Sequence, residues 1–165
     1  MTTRMTADDI HTALRILHPA NPRSTWGERW LYIRELRIGT GWGKDREGRI
    51  DAYALKLVGT ANNRVAYEIK TSRSDYQREL KNPRKRSAAR RYAEQFYFAT
   101  PRGLIKPAEL PPDAGLVEVW RDQYGDLMVR REVVAPVLDT YPPTWTFVAS
   151  LLRRVGTEVS HDLDV

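Results

Sequence analysis

Residues 49–70, RIDAYALKLV GTANN RVAYEIK, contain the pattern that decides the fold. Two apolar runs, 49–58 and 64–70, are rich in strand-forming residues and flank a Gly-Thr-Ala-Asn-Asn turn at 59–63. This arrangement predicts an antiparallel β-hairpin. Pairing about the turn brings the start of the first strand level with the end of the second.

Three charged side chains converge at that end of the hairpin. Side chains alternate along a strand, so Glu68 and Lys70 share one face while Ile69 has the other, and the pairing places Asp51 beside them. Two carboxylates and an ammonium form a hard-oxygen set suited to Mg²⁺ or Mn²⁺. A cation there would polarise a phosphate and activate water. A structural ion-pair network and a harmless exposed edge are the competing interpretations.

The rest of the chain predicts a mixed sheet flanked by helices, an α/β (α+β) fold. Predicted helices are 7–17, 26–33, one capped by Ser74 with Gln77, 83–95 opened by Asn82-Pro83, and 143–155 with a stripe of Trp145, Val148, Leu151, Leu152 and Val155. Predicted further strands are 32–38, 96–99, 115–120 and 127–134. We expect one domain over 1–165, with a core at about 24–120 and a flexible tail at 156–165.

Composition excludes several chemistries. The 165 residues contain no Cys, which excludes thiolate metal sites, disulfides and a cysteine nucleophile. The three histidines His11, His18 and His161 are too scattered to suggest a metal cluster. No apolar run approaches the roughly 20 residues of a membrane span, and no leader opens the chain. We therefore expect a cytoplasmic, nucleoid-associated protein with no membrane partner.

The positive charge is concentrated after the hairpin. Six of the 27 basic residues fall within positions 81–91, which contain no acid, and they equal the formal net charge of +6. They are Lys81, Arg84, Lys85, Arg86, Arg90 and Arg91. With Arg73, this basic segment is a candidate phosphate-binding surface for DNA. A solvated helix face that binds nothing would have the same composition.

The Asp51, Glu68-x-Lys70 pattern, with a helix following, resembles the PD-(D/E)xK nuclease superfamily. A narrower likeness, over about residues 32–118, is to the MmcB-like DNA-repair-associated proteins and related small phage and actinobacterial proteins. It is carried by Glu35-Leu-Arg-Ile-Gly-Thr-Gly, Arg49-Ile-Asp-Ala, Glu68-Ile-Lys-Thr-Ser-Arg-Ser-Asp-Tyr, Phe96-Tyr-Phe-Ala and Leu110-Pro-Pro-Asp-Ala-Gly-Leu. The resemblance implies an αβββαβ restriction-endonuclease-like core followed here by a C-terminal hairpin and helix.

The resemblance also implies roles for individual residues. Asp51, Glu68 and the Ile69 carbonyl would hold Mg²⁺ or Mn²⁺, and Lys70 would be the catalytic lysine. Many members add a glutamate from the first helix, for which Glu28 is the candidate and Glu35 the rival. The residue before Asp51 is isoleucine rather than the family's proline.

The leading hypothesis is a metal-dependent DNA nuclease in repair, recombination or phage DNA metabolism. The alternative is a catalytically silent DNA-binding or adaptor protein on the same fold. On the predicted helix that carries the basic segment, Lys85 falls within the apolar arc and is expected to point inward to the site. Tyr92, on the same helix, is expected to pack in the core. The C-terminal helix is expected to pack on the core, with a homodimer contact as the second possibility.

Overall fold

The chain adopts an α+β fold in which six strands form one mixed sheet flanked by helices, which confirms the predicted fold class. This computed structural model describes residues 4–20, 29–39, 48–58, 63–81 and 83–162, without the side chains at 84, 85 and 157–162. The helices are α1 (Ala7–Leu17), α2 (Arg73–Leu80), α3 (Pro83–Arg90) and α4 (Trp145–Asp162), with a 3-10 turn at Pro107–Glu109. The strands are β1 (Trp30–Arg37), β2 (Arg49–Lys56), β3 (Arg64–Ile69), β4 (Gln95–Pro101), β5 (Gly115–Arg121) and β6 (Leu127–Val133).

The strands lie in the sheet in the same order as in the chain, β1 to β6. β1, β2 and β3 are antiparallel neighbours, β4 and β5 run parallel to β3, and β6 returns antiparallel to β5. The α2–α3 segment makes the crossover from β3 to β4 that a parallel pair requires. The carboxyl end of β3 therefore meets the start of α2.

The predicted hairpin register is confirmed. β2 and β3 pair Ala52 with Tyr67 and Leu55 with Arg64. Continuing this register by one position brings Asp51 level with Glu68, as expected from the turn at 59–63, whose residues 59–62 lie outside the described part of the chain.

Helices cover both faces of the sheet. On one face, the apolar side of α1 packs on Tyr67, Tyr97 and Val117. On the other face, α2, α3 and α4 enclose a cluster that includes Tyr53 and Phe98. Because both faces of the sheet are covered, β3, β4 and β5 are buried at consecutive positions rather than at alternate ones.

Helix α1 begins and ends where the sequence predicts. The Thr6 side chain accepts a hydrogen bond from the Asp9 N–H at 3.1 Å, and Asp9 accepts one from the Thr6 N–H at 2.9 Å. This reciprocal capping satisfies two N–H groups that the first turn leaves unpaired.

The predicted short helix at 26–33 is wrong for its second half. Residues from Trp30 onward form β1 and pair with β2, Trp30 opposite Lys56 and Ile33 opposite Tyr53. Aromatic and β-branched side chains favour this half-buried pleated position over a helix. Residues 26–28 of the predicted helix, including Glu28, lie outside the described residues.

The N-cap of α2 is Ser72 rather than the predicted Ser74. The Ser72 backbone is extended, and its hydroxyl accepts a hydrogen bond from the Asp75 N–H at 3.3 Å. The helix therefore begins at Arg73, and Gln77 is not part of a capping box.

The last two helices end at positions other than those predicted. Helix α3 ends at Arg90, not 95, because Gln95 already pairs with Val65 in the sheet. Helix α4 continues to Asp162, through part of the predicted tail.

The inward face of α4 is also shifted from the predicted stripe. Phe147, Leu151 and Val155 pack on the core, which confirms core packing for this helix, whereas Trp145 and Leu152 are exposed. Within the described ranges, no helix is both long and apolar enough to cross a bilayer.

Candidate functional site

Asp51, on β2, is held in place by the backbone at the carboxyl end of the neighbouring strand β3. The Ile69 N–H donates a hydrogen bond to Oδ2 of Asp51 at 3.0 Å. The sequence prediction that these two residues meet is therefore confirmed in the structure.

Glu68 and Lys70 lie on one face, as their spacing predicts, and a third residue joins them from α2. Nζ of Lys70 donates to Oε1 of Glu68 at 2.8 Å and to Oε2 of Glu79 at 3.1 Å. The exposed fractions are 3% for Glu68, 9% for Lys70 and 7% for Glu79. We call these three residues the buried triad.

The triad keeps its lysine protonated. Burial alone would lower the pKa of Lys70, but the Glu68 carboxylate and the hydrogen bonds to Glu68 and Glu79 outweigh burial and raise the pKa above its ordinary value. An ammonium has three N–H donors. Lys70 can therefore supply positive charge and a hydrogen bond, but it is poorly suited to remove a proton.

A cavity of about 480 Å³ opens beside Asp51 and Lys70. Its lining is charged: carboxylates of Glu35, Asp51, Asp75 and Glu79 face cations of Arg34, Arg49, Lys70 and Arg78, with Ala7, His11, Ile69 and Thr71 completing it. We call this space the acidic cavity after its four carboxylates, although four cations balance them. Its walls come from α1, β1, β2, the end of β3 and α2.

Glu35, the rival candidate for the additional glutamate that the resemblance implies, lies in this cavity. The flanking pairs Arg34–Ala52 and Leu36–Ile50 place it level with Asp51 on the adjacent strand. Its φ of 51° is a left-handed conformation that residues other than glycine rarely adopt. Such strain often accompanies a functional constraint. Glu28, the preferred candidate, lies outside the described residues.

His11 lines the acidic cavity, although the sequence did not predict a role for it there. Its Nδ1 lies 2.8 Å from the hydroxyl oxygen of Tyr32, and burial lowers its pKa to about 4. It is therefore neutral at pH 7. Its position on α1, three residues before buried Leu14, was the available signal that it faces inward.

Glu79 was also missed, although a local signal existed. It follows Tyr76 by three residues on α2, and both are buried. Residues three apart share a helix face. In the structure this face of α2 lies over the end of β3, where Glu79 meets Lys70.

Much of the basic segment is engaged with carboxylates of the protein itself. Arg73 forms a two-pronged ion pair with Glu109, one contact of which is 2.7 Å, and lowers the pKa of Glu109 to about 2. Arg90 and Arg86 lie 3.0 Å and 3.5 Å from Oδ2 of Asp113. A phosphate-binding role for these three arginines requires those pairs to open, and it stays a prediction.

The other members of the segment differ in what the structure describes. Lys81 and Arg91 are exposed. The side chains of Arg84 and Lys85 are outside the described part of the chain, so the inward orientation expected for Lys85 stays a prediction. Tyr92 is buried and stacks on Phe147 with ring centres 4.1 Å apart, which confirms its core role.

The chemistry of the donor set fits a hard divalent cation. Among the described residues, no group of three or more His, Asp or Glu side chains is close enough to hold a metal. Mg²⁺, however, is commonly held by one or two carboxylates together with waters and substrate phosphates. Asp51, Glu68 and the Ile69 carbonyl supply such a set, with Asp51 and Ile69 facing the acidic cavity.

Comparison with known proteins supports the fold alone. No family model matches this chain, and no curated protein matches it. Among solved structures, the chain is similar to the SPO1766 protein of unknown function from Silicibacter pomeroyi, at 20% sequence identity and a TM-score of 0.54. The likeness covers 99% of this chain and 89% of that one, so the two proteins share their fold over almost the whole length.

Proposed function

We propose that the protein is a Mg²⁺- or Mn²⁺-dependent nuclease that hydrolyses phosphodiester bonds in DNA. The observation that carries this proposal is the meeting of Asp51 with the Glu68-x-Lys70 strand end at an open, charged cavity. The resemblance of this pattern to the PD-(D/E)xK superfamily supports the same reaction. Membership in DNA repair, recombination or phage DNA metabolism, and a nucleoid location, are part of the proposal.

Each residue of the site has a specific role in this proposal. Asp51, Glu68 and the Ile69 carbonyl would hold the cation, which would lower the pKa of water and neutralise charge on the attacked phosphate. Lys70 donates its remaining N–H to a phosphate oxygen as negative charge develops there, because it stays protonated. Glu35 or Glu28 would complete the acidic set.

The direct test is digestion of supercoiled, linear, nicked, branched and single-stranded DNA in Mg²⁺ or Mn²⁺. We expect Asp51→Asn and Lys70→Met to reduce cleavage by at least about a hundredfold, while Asp139→Asn, an exposed carboxylate outside the cavity, retains it. Absence of cleavage on every substrate, or cleavage undiminished by both substitutions, would refute nuclease activity.

Metal binding can be tested separately from activity. Asn at position 51 keeps an oxygen that can accept from the Ile69 N–H, so Asp51→Asn should leave the melting temperature unchanged or raised without metal. A cation that binds only the folded protein raises the melting temperature. We expect Mn²⁺ to do so for the parent protein and not for the variant. A purely structural ion-pair network predicts instead that Asp51→Asn lowers the melting temperature and that Mn²⁺ has no effect.

A homodimer is a further part of the proposal, since two subunits would supply two sites for cutting both strands of a duplex. Trp145, 86% exposed, and Leu152 give α4 an outward apolar surface. Light scattering during size exclusion should report a mass near 38 kDa, about twice the chain mass of 19.1 kDa. A monomer mass that persists when DNA is added would refute the dimer.

A further inference from the structure

A second cavity, of about 390 Å³, adjoins the acidic cavity. The two cavities share Glu35 and Arg49 in their linings. Four arginines surround the second one: Arg37 and Arg49 from β1 and β2, and Arg153 and Arg154 from α4. We call it the arginine pocket. With Glu35 as the single carboxylate among its described lining residues, four cations face one anion.

Two of these arginines lie where repulsion between their charges destabilises the folded chain. Arg37 and Arg49 are direct partners in the β1–β2 register. Like charges directly opposite each other on neighbouring strands destabilise a sheet. Glu35 lies 3.3 Å from Arg49 and offsets only part of this repulsion. An anion bound between the two arginines would remove the rest.

One arginine of α4 is oriented by a neutral acceptor. Nε and Nη2 of Arg154 donate to the Arg34 carbonyl oxygen at 3.2 Å and 2.9 Å. This contact fixes the Arg154 guanidinium group without neutralising its charge. Its neighbour Arg153 donates to the buried hydroxyl of Ser150 at 3.2 Å. In contrast to Arg154, the basic-segment residues Arg73, Arg86 and Arg90 each face a carboxylate.

We propose that the arginine pocket binds the sugar-phosphate backbone of the nucleic-acid strand whose phosphodiester lies in the acidic cavity. Guanidinium groups suit this task because their forked donors match phosphate oxygens. The strand passes from one cavity to the other over Glu35 and Arg49. These contacts add affinity and position the strand without reading its sequence. The proposal rests on the proposed function for the identity of the strand.

The pocket can be tested by binding without cleavage. The probe is a fluorescein-labelled 20-nucleotide DNA strand, followed by anisotropy in EDTA over a range of salt concentrations. We expect Arg37→Gln/Arg153→Gln to weaken binding about tenfold and to reduce the slope of log affinity against log salt by about 1.4, since each lost phosphate contact on a single strand contributes about 0.7. The charge-matched control is Arg15→Gln/Arg131→Gln, on exposed positions of α1 and β6.

Each outcome bears on a different claim. Equal losses in the pocket variant and the control would overturn the proposal, because net charge alone would then explain binding. It would also be overturned if inorganic phosphate bound the pocket as tightly as the strand does. If binding depends on the pocket but Mg²⁺ gives no cleavage, the strand-binding role of the pocket is supported and nuclease activity is refuted. If the protein cleaves DNA and the pocket variant leaves the KM unchanged, nuclease activity is supported and the strand-binding role of the pocket is overturned.

Discussion

Replacing Lys70 with methionine tests whether the buried triad holds the site together. Methionine keeps most of the side-chain volume but removes the ammonium that Glu68 and Glu79 share at 2.8 Å and 3.1 Å. All three residues are buried, with exposed fractions of 9% or less. Removing one partner of a buried ion pair costs about 3–5 kcal/mol, because the remaining charge stays desolvated. We expect the free energy of unfolding to fall by about that amount at pH 7.

The assay is urea unfolding followed by tryptophan fluorescence at pH 7 and at pH 5. Two buried carboxylates without a cation bind protons more readily, so the variant should regain part of its stability at pH 5. Lys81→Met, on an exposed lysine, should change stability by less than about 0.5 kcal/mol. The triple variant Glu68→Gln/Lys70→Met/Glu79→Gln removes every charge of the triad and should be more stable than Lys70→Met alone. A loss below about 1 kcal/mol at pH 7, or an equal loss at both pH values, would refute this account of the triad.

Three further predictions concern buried contacts of the fold. Burial lowers the pKa of His11 from its ordinary 6.5 to about 4, so the unfolded chain binds the proton more readily than the folded one. The free energy of unfolding should therefore fall as pH drops through that range. In urea titrations, His11→Gln should show a smaller fall in the free energy of unfolding over the same range. The Tyr53 hydroxyl donates to the buried Tyr92 carbonyl at 2.7 Å, and Tyr53→Phe should cost about 1–3 kcal/mol in the same measurement, with an unchanged midpoint counting against that bond. A Cβ at Gly115 would lie 2.5 Å from Cε1 of Tyr97, so Gly115→Ala should lose about 1–3 kcal/mol by calorimetry, and a wild-type melting temperature would contradict the close contact.

The sequence predicts the central part of the site because that part depends on local pattern. The alternation of side chains along a strand and the five-residue turn together determine which residues of β2 and β3 face each other. The Asp51–Ile69 contact follows directly. The same reasoning predicts which residues share a face with Lys70, but it does not predict the angle at which α2 lies over the strand. Glu79 therefore required the structure.

The charge pairing around the basic segment could not be predicted in the same way. Arg73 meets Glu109 across 36 residues of chain, and Arg90 meets Asp113 across 23. No periodicity connects such distant positions. A run of arginines without acids indicates positive charge, but only the folded chain shows that an acidic residue from a later loop lies against it.

The matching order of strands in the sheet and in the chain has a consequence for synthesis on the ribosome. Each strand from β2 onward pairs with the strand made just before it. Contacts between near neighbours in sequence form quickly, and domains begin to fold from the N-terminal side as the chain emerges. Asp51, Glu68, Lys70 and Glu79 all belong to one stretch of 29 residues. The elements that carry these residues can therefore assemble co-translationally, before β5, β6 and α4 have left the exit tunnel.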